Sequence, residues 1–100
     1  MRFGKWIKKR RRSLRLGLWN CACHAGIGGE ALRLIETGKS NPAGCKTSTL
    51  YGLARVLKIE PAEIIERAMR EDPKLMEWLR REWPESDWWG WDLQEEQADK

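Results

Sequence analysis

The sequence predicts an all-α protein, and three observations carry that expectation. No segment alternates apolar and polar residues as a half-buried strand does. Apolar residues instead recur at three- and four-residue spacing along most of the chain. Glycine and proline fall between these periodic runs, where helices would end and begin. A length of 100 residues suits one domain. Charged residues make up 34% and hydrophobic residues 41%, which fits a small folded domain with a charged surface rather than a disordered chain.

Each element has its own signal. Phe3, Ile7 and Leu14 lie near one face of a first helix, with Arg10 or Arg11 between them, and Gly17 is read as its breaker. Leu18 to Ala25 forms a short second helix with Cys21, Ala22 and Ala25 inward. Gly26 supplies a left-handed residue for a tight turn. A third helix runs from about Gly28 to Thr37 with Ala31, Leu32 and Ile35 inward, and Gly38 stops it. Residues 39–46 read as loop. A fourth helix from about Thr47 buries Leu50, Leu53, Ala54 and Leu57. Pro61 opens a fifth, with Ile64, Ile65, Ala68 and Met69 inward. Asp72-Pro73 is a second start signal, for a sixth helix that carries Leu75, Met76, Trp78 and Leu79 up to Pro84. The acidic stretch 85–100 is expected to be loosely ordered apart from its tryptophans. These signals divide the chain into a 1–70 unit, a helix over 71–84 and an acidic tail over 85–100.

Charge is divided unevenly along the chain. Residues 1–46 carry 11 Lys/Arg and 2 acids, a balance of +9, whereas residues 47–100 carry 8 and 13, a balance of −5. Residues 1–15 alone hold eight basic groups and no acid. Such a block sets up a positive field that attracts polyanions, nucleic acid above all, although a solvated helix face is the plainer reading of any charge run. No apolar run approaches the ~18–20 residues of a membrane span, and no apolar stretch follows the charged start as in a secretory signal. The three cysteines cannot all pair within the chain, so reduced thiols in a cytoplasm are expected.

The order short helix, Ala25-Gly26-Ile27, short helix, Ile35-Glu36-x-Gly38 resembles the Cro/repressor-like (XRE-type) helix-turn-helix regulators of phages and bacteria. Phe3-Gly4-x-x-Ile7 with Arg11 looks like that family's opening helix. Thr49-Leu50-x-x-Leu53-Ala54-x-x-Leu57 looks like its fourth. The resemblance covers Phe3 to Ile65 and implies a five-helix lambda-repressor-like domain, followed here by the Trp-rich helix and acidic tail. It also implies that Glu36 pairs with Arg11. In this family the second helix of the motif enters the major groove. Carried over position by position, the outward face is Leu18, Gly28, Gly29, Glu30, Arg33, Leu34 and Thr37. Glu30 could accept from cytosine N4 and Arg33 could take guanine or a phosphate, while Leu34 is placed near a thymine methyl or simply exposed. Lys5, Lys9, Arg10, Arg12, Arg15 and Lys39 are the expected phosphate contacts.

Other chemistries find less support. On a helix, Cys21 and Cys23 point to different sides, so Cys21-x-Cys23-His24 with Cys45 is a poor zinc site and Cys21 reads as a small core residue. Gly26-x-Gly28-Gly29 lacks the Lys-Ser/Thr of a phosphate-binding loop and follows no strand. No cofactor, metal or catalytic constellation is expected. Of seven tryptophans, five fall in residues 78–91. They read either as core filling or as a contact surface, with Leu75, Trp78, Leu79 and Trp83 central to a dimer. The function so implied is a sequence-specific, homodimeric regulator on double-stranded DNA. The alternatives are an antitoxin-type autorepressor clasping a toxin through its tail, and a helix-turn-helix turned to a protein partner.

Overall fold

A computed structural model describes residues 2–85, and among these every regular element is a helix. Six helices follow in order: α1 (Arg2–Ser13), α2 (Leu18–Ala25), α3 (Gly29–Glu36), α4 (Thr47–Leu57), α5 (Pro61–Met69) and α6 (Pro73–Glu82). One 3₁₀ turn, Pro42–Gly44, interrupts the loop expected over 39–46. There Asn41 Oδ1 accepts from the Ala43 amide at 2.9 Å and Pro42 is buried. The tail beyond Glu85, with Trp88, Trp89 and Trp91, lies outside the described residues.

The core gathers one stripe from each of the first five helices: Phe3 and Ile7; Cys21, Ala22 and Ala25; Leu32 and Ile35; Leu50, Leu53, Ala54 and Leu57; Ile64 and Ala68. Ile65 and Met69 pack against this cluster but stay partly exposed. Ala31 departs from expectation, being exposed. The buried line of α3 is Gly29, Leu32, Ile35 and Glu36, and a residue one step before Leu32 falls about 100° from it.

Helix ends follow local chemistry. Gly26 (φ 77°) and Gly38 (φ 81°) adopt the left-handed conformation expected of them. The end of α1 does not lie at Gly17. Its helix stops at Ser13, Arg15 takes the left-handed position (φ 59°), and the Leu16 amide donates back to Arg11 O at 3.1 Å. Gly17 is extended and caps α2. Asp72 caps α6, accepting from the Lys74 amide at 3.0 Å. The N-terminus of α1 is served from far along the chain, where Glu71 Oε1 accepts from the Phe3 amide at 3.0 Å. A carboxylate there both satisfies an orphan donor and meets the positive end of the helix dipole.

Two contacts hold α1 against α3. A Cβ built at Gly4 would lie 2.5 Å from Ile35 O and 2.6 Å from Glu36 O, so only glycine permits this approach. Farther along α1, Arg11 grips Glu36 with two bonds, Nε to Oε2 at 2.7 Å and Nη2 to Oε1 at 2.9 Å. The two side chains are only 10% and 4% exposed, and Arg11 Nη1 also donates to Leu16 O at 2.7 Å. Hydrogen bonding by Glu36 raises the Arg11 guanidinium above its ordinary value, against the opposing effect of burial. The pairing that the resemblance implied for these positions is therefore present.

Candidate nucleic-acid interface

The turn between α2 and α3 has three residues, Gly26, Ile27 and Gly28. Ile27 packs on the core, and its amide donates to Ala22 O at 3.0 Å. Gly28 is the extended N-cap of α3 but has no side chain to bond the first amides. This geometry fixes which side of α3 faces outward. Leu32 and Ile35 are buried, while Glu30, Arg33 and Thr37 are exposed and Leu34 is half-buried.

The charged residues of this face interact with one another. Arg33 Nε donates to Glu30 Oε2 at 2.9 Å, and Arg33 Nη2 also donates to Glu30 Oε1. The Arg33 hydrogen bond holds the Glu30 carboxyl below its ordinary value, and the same bond raises the guanidinium. Each ion thus answers the other before any ligand arrives. Thr37 Oγ1 is turned back onto the helix, donating to Arg33 O at 3.0 Å.

Two of the expected outward positions are corrected. Leu18 is not fully outward: it is half-buried and packs against the core cluster. Gly29 is buried, and the group that buries it is Trp19. A Cβ at Gly29 would stand 1.6 Å from Trp19 Cε3 and 2.0 Å from Cζ3. The indole therefore occupies the volume that a side chain at position 29 would fill. Trp19 remains 65% exposed, so it forms the outer surface at the start of α3. Residue-by-residue carry-over passes over Trp19 because it stands one place after Leu18. The available signal was a bulky aromatic on α2 facing a glycine at the start of α3.

The cations also divide. Lys5, Lys9, Arg12, Arg15 and Lys39 are exposed. Arg10 instead serves the fold, with Nε donating to Leu57 O at 2.8 Å and Nη2 to Lys58 O at 3.3 Å. It caps the C-terminus of α4, where Lys58 adopts φ 57°. Unlike the five exposed cations, Arg10 therefore has Nε and Nη2 engaged by backbone carbonyls of its own chain.

On α6, Met76 and Leu79 are buried within the single chain, whereas Trp78 and Trp83 are 48% and 52% exposed and Leu75 is half-buried. Leu79, expected to be central to a dimer, is only 5% exposed and packs within its own chain, so Trp78 and Trp83 make up most of the open apolar surface of this region. A different tryptophan, Trp6, is partly buried against the core, with the edge of Phe3 on it and the Arg67 guanidinium 4.1 Å from its ring centre.

Among the described residues no three His, Cys, Asp or Glu side chains are grouped to hold a metal. Cys21 is buried and Cys23 exposed on the same helix, and burial pushes the Cys21 thiol up. No helix among the described residues is long and apolar enough to cross a membrane. Comparison with protein-family models, with curated proteins and with solved structures finds no match to this chain.

Proposed function

We propose that this chain is a DNA-binding regulator of the Cro/repressor-like helix-turn-helix kind, with α2 crossing the backbone and α3 entering the major groove. The observation that carries the reading is the outward first turn of α3, set on a three-residue turn, in a chain whose amino half exposes Lys5, Arg12, Arg15 and Lys39, with Lys39 near enough to Glu30 to act on its charge. A surface this rich in cations suits phosphate neutralisation on either side of a reading helix. The buried Arg11–Glu36 pair adds support, since the resemblance implied it between positions 25 residues apart.

Trp78 and Trp83, half-exposed on and just after α6, supply the apolar surface through which two copies would meet on a two-fold operator. Selection of binders from random duplexes tests the reading directly. A recovered palindrome is the expected result, with log affinity falling steeply against log salt. Neutralising Lys5 and Lys39 should flatten that slope by about one unit each and leave the consensus unchanged. Absence of any consensus would refute sequence-specific regulation. Trp78→Glu with Trp83→Glu, followed by sedimentation, tests the dimer. These substitutions are preferable to a cut after Arg70, which would strip the Glu71 cap from α1.

A second reading, a helix-turn-helix whose groove-facing surface is turned to a protein partner, is favoured by one observation. The start of α3 is covered by an exposed indole, and its two ions pair with each other. Binding of a partner protein that competes with DNA, and is lost on Trp19→Ala, is its test.

A further inference from the structure

We infer that Trp19 is a specificity residue that reads thymine methyl groups, standing in for the side chain that Gly29 lacks. The inference rests on the DNA reading above and deepens it.

The argument begins with what position 29 can present. In a helix-turn-helix the first residues of the second helix reach base edges. Here Gly28 and Gly29 have no side chains, and Glu30 and Arg33 are bonded to each other. The volume above Gly29 is filled from the neighbouring helix, by Cε3, Cζ3 and Cδ2 of Trp19. All three atoms belong to the carbon ring of the indole, which neither donates nor accepts a conventional hydrogen bond. Trp19 is 65% exposed, so the rest of the indole, a largely carbon surface with Nε1–H as its one donor, is what a ligand meets.

A carbon surface in the major groove can distinguish few things. Base pairs present donors and acceptors there, and one apolar group, the C5-methyl of thymine. A site read through Trp19 would therefore be rich in thymine at the positions below α3. The exposed cations Lys5, Arg12, Arg15 and Lys39 favour a polyanion over an uncharged apolar peptide as occupant.

Replacing thymine by deoxyuridine removes that methyl and leaves every hydrogen-bonding group in place, so it isolates the contact. With the full-length chain and the duplex recovered by selection, each thymine is replaced in turn. One or two positions in each half-site should lose roughly three- to fivefold in affinity, the value of one buried methyl. Trp19→Ala should bind the thymine and deoxyuridine duplexes equally, with the salt slope unchanged. Wild-type affinity indifferent to every deoxyuridine substitution would overturn the inference and leave the DNA reading intact. So would a Trp19→Ala variant that still prefers thymine. A chain that selects no sequence at all overturns both, and a protein partner displaced by Trp19→Ala would then account for the indole.

Discussion

Helix α3 takes part in two Arg–Glu pairs, one buried against α1 and one exposed, and they do different things with the same chemistry. On its inner side Glu36 meets Arg11 across 25 residues of chain, both side chains at most 10% exposed. On its outer side Glu30 meets Arg33 within one turn, with side chains 60% and 45% exposed. Desolvation makes the difference. The inner pair has no water to fall back on, so each ion depends on its partner and loss of one strands the other. The outer pair is solvated, screened by salt and easily exchanged for another ligand. One pair positions α1 on α3; the other sets the charge of the surface that a ligand would meet.

The largest expected effect comes from breaking the inner pair on one side. Arg11→Ala should cost about 3–5 kcal/mol of unfolding free energy in a denaturant titration, because Glu36 would remain buried and unpaired. Replacing both partners by apolar residues, Arg11→Met with Glu36→Leu, should recover most of that loss. An unchanged midpoint for Arg11→Ala would mean that the inner pair is as dispensable as the outer one.

Gly4→Ala attacks the same α1–α3 contact without touching a charge. The new methyl would meet two backbone carbonyls that have no rotamer to adopt, so a loss of about 1–3 kcal/mol is expected by the same titration. If Gly4→Ala costs nothing, the approach of the two helices is looser than the Arg11–Glu36 bonds require.

The outer pair predicts a functional effect in place of a structural one. Glu30→Gln should leave the thermal midpoint within the scatter of ordinary surface substitutions. By freeing Arg33 and removing a negative charge it should raise affinity for duplex DNA and steepen the salt slope by up to about one unit. Weaker binding by Glu30→Gln would instead identify Glu30 as a base contact, the accepting role read for it in the sequence.

The smallest effect is a pH dependence. Arg33 holds the Glu30 carboxyl below its ordinary value, so whatever this pair adds to stability is present above the unfolded carboxylate range and lost as pH falls through the folded value. Stability curves of the wild type and Arg33→Ala should therefore converge as pH drops below about 4. Curves that diverge there would give the pair the opposite sign.

Much of this arrangement is legible in the sequence, and the residues show why. Asp72-Pro73, Gly26 and Gly38 act on backbone groups a few residues away, so their roles follow from neighbours alone. The core stripes of α2, α4 and α5 follow from helical spacing, while Ala31 escapes it because one residue of phase moves a side chain by about 100°. The Arg11–Glu36 pair comes from resemblance to a family, since no local rule relates positions 25 apart.

The chain by itself determined the order of the helices, most of their ends, most of the apolar stripe of each, and that the cations gather in the amino half. These are properties of adjacent or helically spaced residues, and they survive whatever the helices pack against. Only the tertiary structure decided how individual side chains were used. It turned Arg10 from a phosphate candidate into the cap of α4, buried Leu79 within its own chain, moved Leu18 onto the core and laid Trp19 over Gly29. Each of these depends on a group from a different element arriving within bonding or contact distance. That arrival is set by the close packing of helices, which no single segment encodes.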